Sequence, residues 1–176
     1  MNLINFGPGV TPGSLKRWAQ LSETLGYHLI MTSDHIAITP DVQTRYPAPF
    51  FEPISLLGYL AGVTDRVELG TTVLIVPYRN PLEIAKACAN IDQLSGGRFI
   101  LGVGVGWAQD EFQALKVPFR SRGAITNEYL EAVQRSLTED VASFEGKFTS
   151  FSGVHTTHRA QAVAFTPPSH LGRWAQ

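Results

Sequence analysis

Short apolar runs alternate with amphipathic stretches along most of this chain. The apolar runs occupy residues 2–7, 28–32, 67–75 and 98–105 and are rich in Ile, Leu and Val. Between them, apolar residues recur every three or four positions, which is typical of helices that bury one face. This order predicts an α/β fold of four βα units, with parallel strands joined by right-handed crossovers.

Proline and capping residues mark where the predicted helices begin. Thr11 precedes Pro12 and Asn80 precedes Pro81, so we expect a capped helix with proline in its first position at both places. Glu83 is expected to complete a capping box with Asn80. Further predicted elements are a helix that starts at Pro53, helices over residues 110–115 and 125–137, and a strand over residues 145–151.

Small and polar residues follow the apolar runs at their carboxyl ends. Asp34 and His35 come directly after the second run, and Gly104 and Gly106 end the fourth. Parallel α/β barrels keep their chemistry at the carboxyl ends of the strands. The polar, Pro-rich stretch 36–49 is long for a simple connection, so we expect it to be functional. The pattern predicts a (βα)8 TIM-barrel type, here an incomplete barrel of about four units.

Composition narrows the class of protein. The chain has 176 residues, 44% of them hydrophobic, which suits one domain with a substantial core. Because 14 basic residues face 15 acidic ones with no basic cluster, we expect neither nucleic acid nor a membrane as a partner. Cys88 stands alone, which excludes an intramolecular disulfide framework. We therefore expect a cytoplasmic protein.

Several motifs, in this order and spacing, form a specific pattern. Together they make residues 1–154 resemble the luciferase-like monooxygenase superfamily, especially its branch of F420-dependent oxidoreductases. The motifs are Ser33-Asp34-His35, Gly70-Thr71-Thr72-Val73, Arg79-Asn80-Pro81, Leu94-Ser95-Gly96-Gly97-Arg98, Gly102-Val103-Gly104-Val105-Gly106-Trp107, Glu111-Phe112, Arg122-Gly123 and Glu145-Gly146-Lys147-Phe148.

This resemblance implies a (βα)8 barrel that holds F420 or FMN at the carboxyl ends of its strands. The implied function is hydride transfer between a deazaflavin and a small organic substrate. An FMN-dependent monooxygenase is the alternative within the superfamily, and a non-catalytic truncated remnant is the contrasting possibility. The residues of the first half of the barrel do not distinguish F420 from FMN.

The resemblance also implies roles for the residues after the second strand. His35 would face the cofactor ring and relay the proton that accompanies hydride transfer, which suits histidine because its ordinary pKa is close to neutrality. Asp34 would bind the cofactor or orient the loop. In the alternative interpretation Asp34 caps local backbone donors and His35 only packs.

Further site residues are expected at the ends of the third and fourth strands. The resemblance implies a non-prolyl cis bond at Thr72–Val73 that supports the rear face of the ring; an ordinary strand step is the alternative. Gly104 and Gly106 would let backbone approach the cofactor closely. Trp107 would line the substrate pocket, although a core position is an equal alternative.

Two groups of ionisable residues are not expected to form catalytic or metal sites. Neighbouring Asp110 and Glu111 point in different directions on a helix, so we expect solvated acids that complement its dipole. His155, His158 and His170 lack cysteine partners and helical spacing, and we predict no metal site.

The last residues depart from the family pattern, which continues with Pro-Arg-Pro and a strand resembling Pro-Ile-Trp-Val-Gly-Gly. Codons for Ser169 to Trp174, read one base later, permit that strand. We therefore predict two segments: a half-barrel over residues 1–154 and an off-frame, irregular tail over residues 155–176. Open apolar edges on the first and fourth strands invite pairing with another chain, so we expect a homodimer or higher oligomer.

Overall fold

The computed structural model describes residues 1–155 of the chain. Residues 156–176, which carry nearly all of the predicted off-frame tail together with His158 and His170, lie outside the described residues. The division of the chain into a half-barrel and a tail therefore stays a prediction.

Helices alternate with short strands along the described part. The helices are α1 (Pro12–Thr24), α2 (Pro40–Gln43), α3 (Pro53–Ala61), α4 (Pro81–Ser95), α5 (Gln109–Ala114) and α6 (Arg122–Thr138), with 3₁₀ turns at Val76–Tyr78 and Phe119–Ser121. The strands are β1 (Leu29–Thr32), β2 (Glu68–Thr71), β3 (Leu74–Ile75), β4 (Phe99–Ile100), β5 (Val103–Gly104), β6 (Val141–Glu145) and β7 (Ser150–His155).

The predicted helix starts are confirmed at their prolines. The Thr11 side chain accepts a hydrogen bond from the Ser14 backbone N–H and caps α1. Asn80 caps α4 through the N–H of Leu82, at 2.9 Å, so its cap bond does not form the expected box with Glu83.

Parallel pairing joins the first five strands. β1, β2 and β4 form one sheet in that order, with Thr32 opposite Thr71, and β3 pairs with β5. β2 and β3 divide the predicted apolar run 67–75, and β4 and β5 divide the run 98–105. The α/β fold with parallel strands is confirmed; the sheets are not closed in the described residues, and the count of four units stays a prediction.

The first predicted strand is present only as isolated bridges. Asn2 forms a parallel bridge with Met31, and Phe6 forms an antiparallel bridge with Phe50. Between them, the Asn5 side chain donates to the carbonyls of Ser33 and Phe51 at 2.9 and 2.7 Å. The segment therefore changes partner halfway along, which prevents a continuous ladder over residues 2–7.

The prediction of one strand over residues 145–151 is wrong. These residues cross the turn of an antiparallel hairpin formed by β6 and β7. The carboxylate of Glu128, on α6, accepts the backbone N–H groups of Lys147, Phe148 and Thr149 at 2.7–2.9 Å. A side chain from another element thus turns the chain where alternation alone predicts an extended segment.

The core lies between the sheet and the helices. Ile30 and Leu69 on the strands meet Leu57 of α3 and Ile84 of α4, and all four side chains are fully buried. Burial of this apolar surface fixes the strand ends relative to one another. None of the helices within residues 1–155 is both long and apolar enough to cross a membrane.

Candidate functional site

The predicted site residues lie together at the carboxyl ends of the strands. The N–H of Thr72 donates to the carbonyl of Thr32 at 2.8 Å, which places the end of β2 against the end of β1. The N–H of Leu74 donates to the carbonyl of Gly102 at 2.8 Å, which places the link between β4 and β5 beside the start of β3. His35 lies three residues after the end of β1, and Trp107 lies three residues after the end of β5.

Asp34 is buried and bound by two elements. Its carboxylate accepts hydrogen bonds from the two terminal guanidinium nitrogens of Arg79, at 2.7 and 2.8 Å, and from the backbone N–H of Ile75 at 2.8 Å. Burial alone would lower the pKa of Arg79, but hydrogen bonds and charge from Asp34, together with Glu52, raise it above its ordinary value. Asp34 therefore ties the end of β1 to β3 and to the start of α4.

An apolar surface lies between the end of β2 and the end of β5. The Thr72–Val73 peptide bond is cis, as the resemblance implies. The Val73 side chain is 39% exposed, and a Cβ atom on Gly104 would collide with its Cγ2 atom. The absence of a side chain on Gly104 is therefore what lets the Val73 side chain pack against β5.

Gly106, unlike Gly104, requires glycine because of its backbone conformation as well as its neighbours. Its φ is +78°, in the left-handed region that favours glycine. A Cβ atom there would lie 2.8 Å from both Ile75 Cγ2 and Phe112 Cε2. The chain turns at Gly106 over packed side chains, and this turn carries Trp107 towards His35.

His35 and Glu111 form the centre of the site. Nδ1 of His35 lies 2.6 Å from Oε2 of Glu111, and both side chains are almost fully buried. Oε1 of Glu111 accepts the N–H groups of Ile36 and Ala37 at 2.6 and 2.9 Å, and Oε2 accepts the hydroxyl of Tyr78 at 3.0 Å. The expectation that Glu111 is a solvated acid is wrong.

Burial and hydrogen bonding shift the pKa values of Glu111 and Tyr78 in opposite directions. Burial acts to raise the pKa of Glu111, but hydrogen bonds from His35 and Ala37 outweigh it and hold that pKa below its ordinary value. Burial and the charge of Glu111 raise the pKa of Tyr78. Asp110, the neighbour of Glu111 on α5, is exposed as expected, because its side chain lies on the outer face of the helix.

Aromatic rings surround the other side of His35. The rings of Tyr46, Phe50 and Trp107 lie 4.9, 5.4 and 5.9 Å from the His35 ring, centroid to centroid. Trp107 is 40% exposed, which places it at a rim rather than in the core. The guanidinium of Arg45 lies 5.0 Å above the Trp107 ring. Tyr46 belongs to the stretch 36–49, which therefore contributes to the site.

Sequence reasoning missed three residues that organise this site. Glu111 and Arg79 stand in motifs that carry the family resemblance, so a signal for both existed, whereas nothing in the pattern singles out Tyr78. Within residues 1–155, no three His, Cys, Asp or Glu side chains cluster closely enough to hold a metal ion.

Comparison with known proteins identifies related chains. The profile of the luciferase-like monooxygenase family matches residues 5–172. An uncharacterised protein of Mycobacterium tuberculosis is 32% identical over 161 residues, which cover 85% of this chain and 56% of that protein. An F420-dependent glucose-6-phosphate dehydrogenase of Kineococcus radiotolerans is 35% identical over 141 residues, covering 78% of this chain and 40% of its own.

Solved structures share the same fold. Monooxygenase RslO1 from Streptomyces bottropensis superposes with a TM-score of 0.79 at 30% identity, over 91% of this chain and 49% of its own. The oxygenating constituent of 3,6-diketocamphane monooxygenase from Pseudomonas putida, in complex with FMN, has a TM-score of 0.68 at 18% identity, over 86% and 41% of the two chains. The chain spans about half the length of the curated relatives it matches.

Proposed function

Because the chain belongs to the luciferase-like monooxygenase family, we propose that it forms the cofactor-facing part of an F420-dependent oxidoreductase that acts on a small organic substrate. The observation that carries this proposal is the pairing of a buried His35–Glu111 unit with an apolar surface at Val73 and Gly104. The F420-dependent relative at 35% identity supports F420 as the cofactor.

The residues at the strand ends fit a flat ring. Val73 exposes an apolar side chain, and the missing Cβ of Gly104 is what lets that side chain pack over the backbone of β5. Bound F420 supplies hydride transfer at its deazaflavin ring. Val73, Thr72 and Gly104 would hold that ring by contact, and Gly106 would shape the turn behind it.

His35 would hold and move the proton that accompanies hydride transfer. Glu111 engages one of its ring nitrogens, and the described residues offer the other nitrogen no hydrogen bond. Asp34, whose carboxylate already binds Arg79 and Ile75, would act by orienting the ends of β1 and β3 rather than by binding the cofactor.

The aromatic rim points to the kind of substrate. Tyr46, Phe50 and Trp107 place apolar surface beside His35, which favours a substrate with an apolar body next to its alcohol or carbonyl group. Arg45, held over Trp107, lies where a polar or anionic substituent would meet solvent.

A monooxygenase that uses reduced FMN and oxygen is the second candidate. The 30% identity to monooxygenase RslO1 favours it, since that match covers 91% of this chain. The same His35 and apolar surface would serve that reaction.

Turnover assays separate the two candidates. We expect the purified chain to reduce F420 when it is supplied with a panel of secondary alcohols. The loss of F420 absorbance measures this reaction. Oxygen consumption with reduced FMN, and no change in F420, would instead support the monooxygenase. Failure of both assays would favour the non-catalytic remnant.

A further inference from the structure

We infer that Glu111 is a positioning residue that fixes His35 in the tautomer with its proton on Nδ1, so that only Nε2 can exchange a proton with a bound molecule. The assignment of the tautomer stands on the geometry of the chain alone. Its role in the reaction rests on the proposed function.

Hydrogen-bond donors saturate the Glu111 carboxylate. An ionised carboxylate offers about four acceptor positions on its two oxygens. Oε1 receives the N–H groups of Ile36 and Ala37, and Oε2 receives Tyr78 and His35. Backbone N–H groups only donate, so Oε1 has no position left for a proton.

Nδ1 is the ring nitrogen of His35 that faces Glu111. Nδ1 of His35 lies 2.6 Å from Oε2, a distance that requires a hydrogen between the two atoms. Because the carboxylate only accepts, that hydrogen belongs to Nδ1. In the neutral ring the lone pair is then on Nε2, which accepts a proton, and in the charged ring Nε2 donates one.

The same carboxylate also holds the chain that carries an aromatic ring to His35. Ile36 and Ala37 begin the stretch 36–49, which carries Tyr46 to within 4.9 Å of the His35 ring, centroid to centroid. Glu111 holds both the ring and the first residues of this stretch. A single buried carboxylate thus fixes which nitrogen is left without a protein partner and holds the start of the stretch that carries Tyr46.

Glu111→Gln, the neutral isostere, should invert the tautomer of His35. In Glu111→Gln the amide oxygen must face Ile36 and Ala37, because backbone N–H groups cannot accept a hydrogen bond. The amide nitrogen then faces His35 and donates to Nδ1. The proton of the neutral ring therefore moves to Nε2, and the tautomer inverts.

Nitrogen NMR of the imidazole rings measures the tautomer directly and needs no cofactor. In ¹⁵N-labelled protein at alkaline pH we expect the His35 signals, assigned by their loss in His35→Gln, to show a protonated Nδ1 and an unprotonated Nε2. Glu111→Gln should reverse these shifts. Tyr78→Phe, which removes one donor and leaves the carboxylate, should keep the Nδ1 proton.

Glu128→Gln is the matched control, because Glu128 also accepts three backbone N–H groups but lies at the β6–β7 hairpin. It should leave the His35 signals unchanged. An Nε2 proton in the wild-type chain overturns the inference, and so does an unchanged tautomer in Glu111→Gln. If that variant does not fold, the wild-type and Tyr78→Phe spectra decide. Absence of F420 turnover would remove the proposed function but not this result.

Discussion

Arg79 binds Asp34 through two parallel hydrogen bonds of 2.7 and 2.8 Å, and both side chains are buried. The pair connects the end of β1 to the segment between β3 and α4, 45 residues later in the chain. Its position beside the His35–Glu111 unit makes the stability of the fold and the geometry of the site depend on the same contacts.

Removing one partner of this pair should be costly, because a buried charge is then left without compensation. Arg79→Ala is expected to lower the free energy of unfolding by about 3–5 kcal/mol, measured by urea denaturation. Glu131→Ala is the control, since its pair with Arg135 on α6 is exposed and contributes about 0.3–0.5 kcal/mol. Equal losses in the two variants would contradict the assigned role of the buried pair.

The lowered pKa of Glu111 predicts how its contribution to stability depends on pH. A carboxylate with a lower pKa in the folded state stabilises the fold above its unfolded value of about 4.3 and loses that contribution as pH falls towards the folded value. The difference in unfolding free energy between wild type and Glu111→Gln should therefore be largest at neutral pH and shrink under acid. Asp110→Asn, an exposed neighbour, is the control, and a difference independent of pH would refute the prediction.

The contact between Gly104 and Val73 can be tested by a double-mutant cycle. Gly104→Ala is expected to cost about 1–3 kcal/mol of unfolding free energy, because its Cβ collides with the Val73 side chain. Val73→Ala in the same chain makes room for that Cβ and should recover most of the loss. Additive effects of the two substitutions would show that the collision does not occur.

The dimer expected from the open strand edges has a second candidate surface, an exposed apolar face on α1 and its C-cap residue Leu25. Trp18, Leu21 and Leu25 are 55%, 42% and 64% exposed, and they recur at helical spacing. We expect light scattering to give a dimer or larger species, and Leu25→Glu to weaken it. Leu94→Glu, at a 69% exposed position on α4, is the control. A compact monomer for the wild-type chain would contradict the prediction.

Local patterns predicted the elements better than they predicted the partners of individual side chains. Proline and cap residues located the starts of α1, α3 and α4, because these signals act within one turn of helix. The burial of Glu111 could not be inferred in this way, since its ring partner is 76 residues away. The prediction of a strand over residues 145–151 failed for the same reason, because Glu128, on another element, holds the turn there.

The most direct test of the proposed function is an equilibrium titration of the purified chain with F420 and, separately, with FMN. We expect saturable binding of F420 with a Kd below about 1 mM, which corresponds to about 4 kcal/mol of binding free energy. FMN should bind more weakly than F420. Val73→Asp, which places a charge on the apolar surface, should weaken F420 binding. Binding of both cofactors weaker than about 1 mM would contradict the claim that these strand ends hold a deazaflavin ring.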